Sequence, residues 1–214
     1  MSCCANIFDN FGLGQLTGIE AQEELPGLLP TAEWKKKTHG NSWYPGDTLI
    51  SSIGQGYLLV TPLQLAKVAA TLANHGQGFQ PTLLLKTKKA NNIVINQTAK
   101  PLTPIKINDD HWDIILNAMH DIAHNPSGSA NKYYQGSSYE IAAKTGTAQV
   151  YSLKKNEKYN AKLIAEKLRD HSLFIAFAPY DNPKIAIGLI VENSPEPASK
   201  IARKVLDYYL KKEQ

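Results

Sequence analysis

An α+β fold, with helices and strands segregated along the chain, is what this sequence predicts. Three observations carry the expectation. Apolar residues recur at helical spacing in two segments, 62–75 and 109–124. Beyond residue 139 the pattern becomes that of strands, over 139–151, 172–178 and 184–191. Pro179-Tyr180-Asp181-Asn182-Pro183 joins the last two as a hairpin. A helix from about 198 to 212 closes the chain, and no regular strand–helix alternation points to a wound parallel sheet. The expected architecture is therefore helices plus a three-stranded antiparallel sheet covered by a C-terminal helix. Three strands are few to cover several helices, so the chain reads as part of something larger.

Taken in order, residues 1–60 are rich in Gly and Pro and weak in periodicity, a loop-rich wrap. Leu25-Pro26-Gly27 and Tyr44-Pro45-Gly46-Asp47 read as turns, and Ser51 to Gly56 as a glycine-punctuated loop. The helical part, 61–138, opens on a capping box: Thr61 caps, Pro62 suits the first helical position and Gln64 stands three residues after the cap. Leu65, Val68, Ala69, Leu72 and Ala73 give the inner stripe, and Gly76 can close the helix. Residues 80–107 read as extended, with a turn at Asn91-Asn92. Asn108 or Asp109 caps the next helix, Trp112, Ile115, Leu116, Met119 and Ala123 form its stripe, and Asn125-Pro126 ends it. The third part, 139–214, holds the strands, a charged insertion over 152–170, and a last helix whose inner face is read as Ile201, Val205, Tyr208 or Tyr209, and Leu210.

Composition narrows the function. With 214 residues, 43 % hydrophobic and 20 % charged, the chain fits one globular domain and not general disorder. It holds no apolar run long enough to cross a membrane as a helix, and its first residues do not read as a signal peptide. Cys3 and Cys4, adjacent in sequence, build neither a disulfide framework nor a four-thiolate metal site. The net charge is only +4, and the short clusters Lys35 to Lys37 and Lys86 to Lys89 read as solvated loops. No nucleic-acid partner is expected.

Lys144-Thr145-Gly146-Thr147 is the segment that stands out. It lies inside a predicted strand, where glycine often marks close approach of a ligand or another backbone. A lysine cation, two threonine hydroxyls and strand-edge N–H groups suit a peptide ending in a carboxylate, added to the edge as a further strand. A strand N–H can also stabilise an oxyanion. The bland reading is a lysine and two threonines on the wet side of an edge strand. K-T-G travels with a nucleophilic S-x-x-K and an S-x-N triplet in serine acyl transfer. Ser129 to Lys132 and Ser152 to Lys155 both match S-x-x-K, but about one match is expected by chance. A nucleophilic serine needs to start a buried helix that brings the lysine to its hydroxyl. Ser129 follows a loop and Ser152 starts a charged segment, so neither is read as the nucleophile.

The histidines offer less. His120 and His124 are one helical turn apart, with His111 the nearest third candidate, and read as exposed helix residues rather than a metal site. His171 beside Asp170 reads as a local structural pair. No Ser/His/Asp triad, G-x-G-x-x-G or P-loop is present, and no cofactor is expected.

Six stretches together resemble one family: FGLGQLTGI at 11–19, LPTAEWK at 29–35, WYPGDTLISSIGQG at 43–56, TPLQLAK at 61–67, IAAKTGTAQV at 141–150 and LRDHSLFIAFAPYDNP at 168–183. In order and content they resemble the C-terminal part of the class B penicillin-binding proteins, of the D,D-transpeptidase kind that serves lateral wall elongation. The resemblance implies a partial penicillin-binding, β-lactamase-like transpeptidase fold. It implies serine acyl transfer on the D-Ala-D-Ala end of a peptidoglycan stem peptide, with β-lactams as substrate mimics. It implies that Lys144 supplies positive potential, Thr145 binds the terminal carboxylate, Gly146 admits the ligand, and Thr147 gives an oxyanion-hole N–H. It also implies a periplasmic setting at the inner membrane, with a SEDS-type glycosyltransferase and rod-complex scaffold proteins as partners. In the family, S-x-x-K and S-x-N precede the residues resembling 11–19, and here only ten residues do. Acyl transfer by the 214 residues alone is therefore not expected, and a non-catalytic module binding D-Ala-D-Ala or β-lactams is the alternative. A β-lactamase or β-lactam sensor shares the K-T-G strand, but the matches at 43–56 and 168–183 argue against it. In the family the last strand pairs with one from the preceding part, so 184–191 is expected to present an apolar edge prone to self-association.

Overall fold

The computed structural model describes residues 3–150, 160, 164–194 and 196–211. The chain divides into two compact units, 1–106 and 107–214, and the boundary falls inside the segment read as one helical part.

The first unit holds more helix than its sequence suggested. α1 (Cys3–Asn10), α2 (Ala32–His39) and α3 (Pro45–Ser52) all lie in the stretch read as loop. Each is only eight residues long, too short for a periodic stripe to show. Their signals are at their ends. Thr31 Oγ1 accepts the Trp34 N–H at 3.0 Å, and Gly40 closes α2 in the left-handed region. Tyr44-Pro45-Gly46-Asp47 is a helix start and not a turn: Pro45 is the first helical residue and the Asp47 carboxylate accepts the Tyr44 N–H at 2.7 Å. Asp47 also takes the Lys35 ammonium at 2.6 Å, and the Tyr44 ring lies 4.9 Å from that nitrogen. Lys35 is therefore buried, unlike the exposed Lys36 and Lys37, and the solvated cluster is shorter than its sequence implied.

α4 (Pro62–Ala73) starts where its capping box places it. Gln64 does more than cap. It is 1 % exposed; its Oε1 accepts the Thr61 N–H at 2.9 Å, and its Nε2 donates to the carbonyls of Gln15 and Pro26 at 2.7 and 2.8 Å. One buried amide thus fixes the start of the helix and two points of the preceding wrap. After α4 the chain is extended, as expected, in two small antiparallel pairs. β1 (Phe79–Gln80) pairs with β4 (Lys100–Pro101), and β2 (Lys86–Lys88) pairs with β3 (Val94–Asn96) around the turn at Asn91-Asn92.

The second unit begins with α5 (Asp109–His124) and a single turn, α6 (Asn131–Tyr134). Trp112, Leu116, Met119 and Ala123 are buried as expected, whereas Ile115 is exposed. The sheet follows: β5 (Ala142–Ala148), β6 (His171–Ala178) and β7 (Ile185–Val191), antiparallel in the order β5-β6-β7. Of the insertion, the described part forms a 3₁₀ turn at Glu166–Leu168; Tyr151 and Ser152 to Lys155 lie outside the described residues. β7 is an edge, and each of its seven residues is half-buried.

α7 (Ala198–Lys211) packs on β6 and β7. Its buried face is Ala198, Ser199, Ala202, Leu206 and Leu210; of the stripe expected from the sequence only Leu210 is buried, and Ile201 is half-buried. Val205 and Tyr208 point outward, and Tyr208 is 69 % exposed. Small alanines let the helix lie close over Phe174 and Ala176, a preference that a search for large apolar residues misses. The helix is also tied to the approach to β5. Asp207 accepts both the Tyr139 hydroxyl and the Arg203 guanidinium at 2.7 Å, and Arg203 donates to the Tyr133 carbonyl at 3.0 Å. Burial, followed by the Asp207 acceptor, pushes the Tyr139 hydroxyl well above its usual ionisation range, so it stays a donor.

The Gln64 arrangement predicts an order of sensitivities. Gln64→Met removes the buried amide that serves the Thr61 N–H and the Gln15 and Pro26 carbonyls, and should cost on the order of 2–3 kcal/mol. Thr61→Ala removes only the cap and should cost about 1 kcal/mol. Urea denaturation of the two variants checks it; equal losses would contradict it.

Candidate functional site

β5 changes character halfway along. Ile141, Ala142 and Ala143 are fully buried, while Lys144, Gly146 and Thr147 are exposed. The buried half anchors the strand against α5 and β6, and the exposed half carries the Lys-Thr-Gly-Thr segment. β5 pairs with β6 on one side only, with Lys144 opposite Ile175, Thr145 opposite Phe174, Gly146 opposite Leu173 and Thr147 opposite Ser172. Its other side carries no strand among the described residues.

The alternation of a strand divides the four residues between its faces. Thr145 and Thr147 share the face of Phe174, beneath α7; Lys144 and Gly146 share the opposite face. The groups expected to act together meet only at the strand edge. Lys144 Nζ reaches that edge by donating to the Thr145 carbonyl at 2.8 Å. Gly146 has a structural reason: a Cβ there would stand 3.3 Å from the Cβ of Leu173 across the pair.

Ser129, set aside as a nucleophile, stands beside this segment. Its hydroxyl is 2.9 Å from Thr145 Oγ1. The Lys132 ammonium of the same S-x-x-K match lies over the Tyr133 ring, 4.7 Å from its centre. Sixteen residues separate Ser129 from Thr145, and no periodicity links them, so sequence alone gave no sign of the contact.

The histidines of α5 have a structural place. His120 and His124 stack with ring centres 4.4 Å apart; His120 Nε2 is 3.1 Å from a Glu140 carboxylate oxygen, and Tyr180 packs on His120. His124 Nε2 accepts the Ile141 N–H at 3.0 Å, fixing the entry to β5. They are half-buried rather than solvated helix residues. His171 Nδ1 accepts the Asn193 N–H at 3.0 Å. A cavity of about 510 Å³, lined in part by Tyr139, Glu140, Tyr180 and Lys184, lies at the other end of β5 from the Lys-Thr-Gly-Thr segment.

The second unit is thus a three-stranded antiparallel meander under a C-terminal helix, with Lys-Thr-Gly-Thr on an edge strand. The chain matches the penicillin binding protein transpeptidase domain over residues 3–210 and belongs to that family. It is part of a transpeptidase domain. The peptidoglycan D,D-transpeptidase MrdA of Salmonella typhimurium (strain SL1344) is 43 % identical over 208 residues, covering 94 % of this chain and 33 % of the relative. MrdA of Escherichia coli (strain K12) is 44 % identical over 204 residues, covering 94 % and 32 %. The chain thus spans about a third of the length of the curated relatives it matches. Among solved structures, Pseudomonas aeruginosa PBP2 in complex with WCK 5153 is similar at a TM-score of 0.76 and 36 % identity, over 96 % of this chain and 43 % of that one. Helicobacter pylori PBP2 in complex with MreC is similar at 0.76 and 29 % identity, over 96 % and 35 %. The α+β class and the family expected from the sequence are both found.

The contact between His124 and β5 predicts a pH effect. Burial, then the neighbouring His120, holds the His124 imidazole below its ordinary value against the pull of Glu140. On acidification the unfolded chain therefore takes up this proton first. The stability contributed by His124 is complete above about pH 6.5 and is lost as pH falls through that value towards the folded-state pKa. An NMR titration should place the His124 midpoint below 6.5, and His124→Gln should flatten the acid limb of stability. A midpoint at or above 6.5 would contradict this.

Proposed function

We propose that these residues form the substrate-binding wall of a peptidoglycan D,D-transpeptidase, and that the half-bare strand β5 is where the stem peptide lies. The carrying observation is the Lys-Thr-Gly-Thr segment on an edge that no other strand covers among the described residues. An extended peptide adds to such an edge by main-chain hydrogen bonds. Its terminal carboxylate falls between the Lys144 ammonium and the Thr145 hydroxyl, a charge-assisted arrangement stronger than neutral hydrogen bonds. Thr147 offers its backbone N–H to the carbonyl oxygen that becomes negative in the transition state.

In the whole enzyme a serine outside this wall attacks the carbonyl carbon of the penultimate D-alanine. The ester bond forms, the peptide bond breaks, and the terminal D-alanine leaves with a proton on its amine. An amine from a neighbouring strand then takes the acyl group and restores the serine hydroxyl. β-Lactams occupy the same wall, their carboxylate in place of the peptide's. Ser129 does not serve as that serine: its hydroxyl is paired with Thr145, and Lys132 rests on Tyr133.

Two of the similar structures support a reading of the partners. The Helicobacter pylori protein is seen with MreC, which supports a scaffold partner of that kind at the periplasmic face of the inner membrane. A structure described as showing coordination of polymerization and crosslinking by a peptidoglycan synthase complex is 25 % identical at a TM-score of 0.73, which supports a SEDS-type polymerase partner. β7 pairs on one side only among the described residues, and we propose that its other side pairs with another strand or a second copy. Solution scattering of the 214 residues should show mass rising with concentration; a monodisperse monomer at high concentration would contradict that pairing.

The binding claim is tested by titrating the chain with an N-acylated L-Lys-D-Ala-D-Ala peptide. Saturable binding is expected, weakened about tenfold or more by Lys144→Ala and several-fold by Thr145→Val. Incubation with a fluorescent penicillin should leave the intact mass unchanged. An adduct on Ser129 or Ser152 would overturn the placement of the nucleophile elsewhere, and no binding at millimolar peptide would overturn the wall itself.

A further inference from the structure

We propose that Ser129 is a positioning residue: its hydroxyl fixes the orientation and polarity of the Thr145 hydroxyl, so that Thr145 presents its proton to the ligand carboxylate. This rests on the reading of β5 as a peptide-binding edge.

The loop bearing Ser129 is built to hold it still. Gly128 is pressed onto the end of α5 so closely that a Cβ would stand 2.4 Å from the carbonyl oxygens of both Asp121 and Ile122. On the other side, Ala130 is fully buried and its N–H donates to the Ile122 carbonyl at 3.0 Å. Asn131 Nδ2 donates to the Ala123 carbonyl at 3.2 Å, and the Gly128 N–H bonds the Asn125 carbonyl at 2.8 Å. Ser129 is exposed between two pinned neighbours, and its short side chain reaches Thr145 Oγ1 at 2.9 Å.

The chemistry gives that contact a direction. Either hydroxyl can donate in the free chain. A carboxylate accepts only, so a Thr145 hydroxyl engaged with it must donate to it. Thr145 Oγ1 is then the acceptor from Ser129, and the two hydroxyls align as Ser129 O–H to Thr145 O–H to carboxylate. Each bond in such a chain polarises the next. The same threonine has its carbonyl held by Lys144 Nζ at 2.8 Å. Thr145 is thus oriented at its main chain by one residue and at its side chain by another. Without Ser129, the threonine rotor is free to turn its methyl group, rather than its oxygen, towards the edge.

The test uses the 214-residue chain with Ser129→Ala and Ser129→Thr. The first readout, without ligand, is the Thr145 χ1 angle from three-bond couplings of its γ-methyl carbon. The second is affinity for the N-acylated L-Lys-D-Ala-D-Ala peptide. Ser129→Ala should move Thr145 from one rotamer to an average and weaken binding roughly three- to tenfold. Ser129→Thr, which keeps the hydroxyl, should restore both. An unchanged Thr145 rotamer in Ser129→Ala, with peptide binding intact, overturns the role of Ser129 alone. A rotamer that is released while the unaltered chain binds no peptide overturns the reading of the edge, and with it any function for the contact.

Discussion

Everything at the candidate site depends on one strand being buried at one end and bare at the other. Ile141, Ala142 and Ala143 lose their contact with water against α5 and β6, with Ile141 and Ala143 in the core cluster that also takes in α7, and this fixes the position of β5. The next four residues continue the same backbone into the open. A strand anchored by burial over half its length can keep an unpaired edge over the rest without fraying. Polar ties reinforce the anchor at its entry: the Ile141 N–H on His124, and the Tyr139 hydroxyl on Asp207.

That constraint explains why the polar groups stand where they do. Strand geometry sends Lys144 and Thr145 to opposite faces, so they can serve one ligand only at the edge between the faces. Lys144 returns to that edge through the Thr145 carbonyl, and Ser129 approaches the threonine from the loop after α5. The result is a narrow line of donors beside an open backbone. Such a line suits an extended chain with an anionic end better than it suits a compact ligand.

How far the sequence could be read depends on the range of the interactions involved. α4 and α5 were legible because caps and apolar stripes are local signals, and the three strands because their pattern changes abruptly after Tyr139. The helices of residues 3–52 were not read, since eight residues give two turns and their caps look like loop chemistry. The inner face of α7 is only partly legible, at Leu210, because close packing over the sheet favours Ala198 and Ala202 over Val205 and Tyr208. Lys144 to Thr147 could be singled out because a cation, two hydroxyls and a glycine sit inside a predicted strand, and its functional reading came from the family resemblance. The bond from Ser129, the burial of Lys35 on Asp47 and the hold of His124 on Ile141 all arise from chain segments brought together by folding, and no spacing rule announces them.

The most direct measurement is a map of backbone amide shifts as the peptide ending in D-Ala-D-Ala is added. The largest changes are expected at Lys144, Thr145, Gly146 and Thr147, with Ser129 following and the residues around Tyr139 and Tyr180 unmoved. Changes centred on the cavity at the far end of β5, with the Lys-Thr-Gly-Thr amides silent, would contradict it.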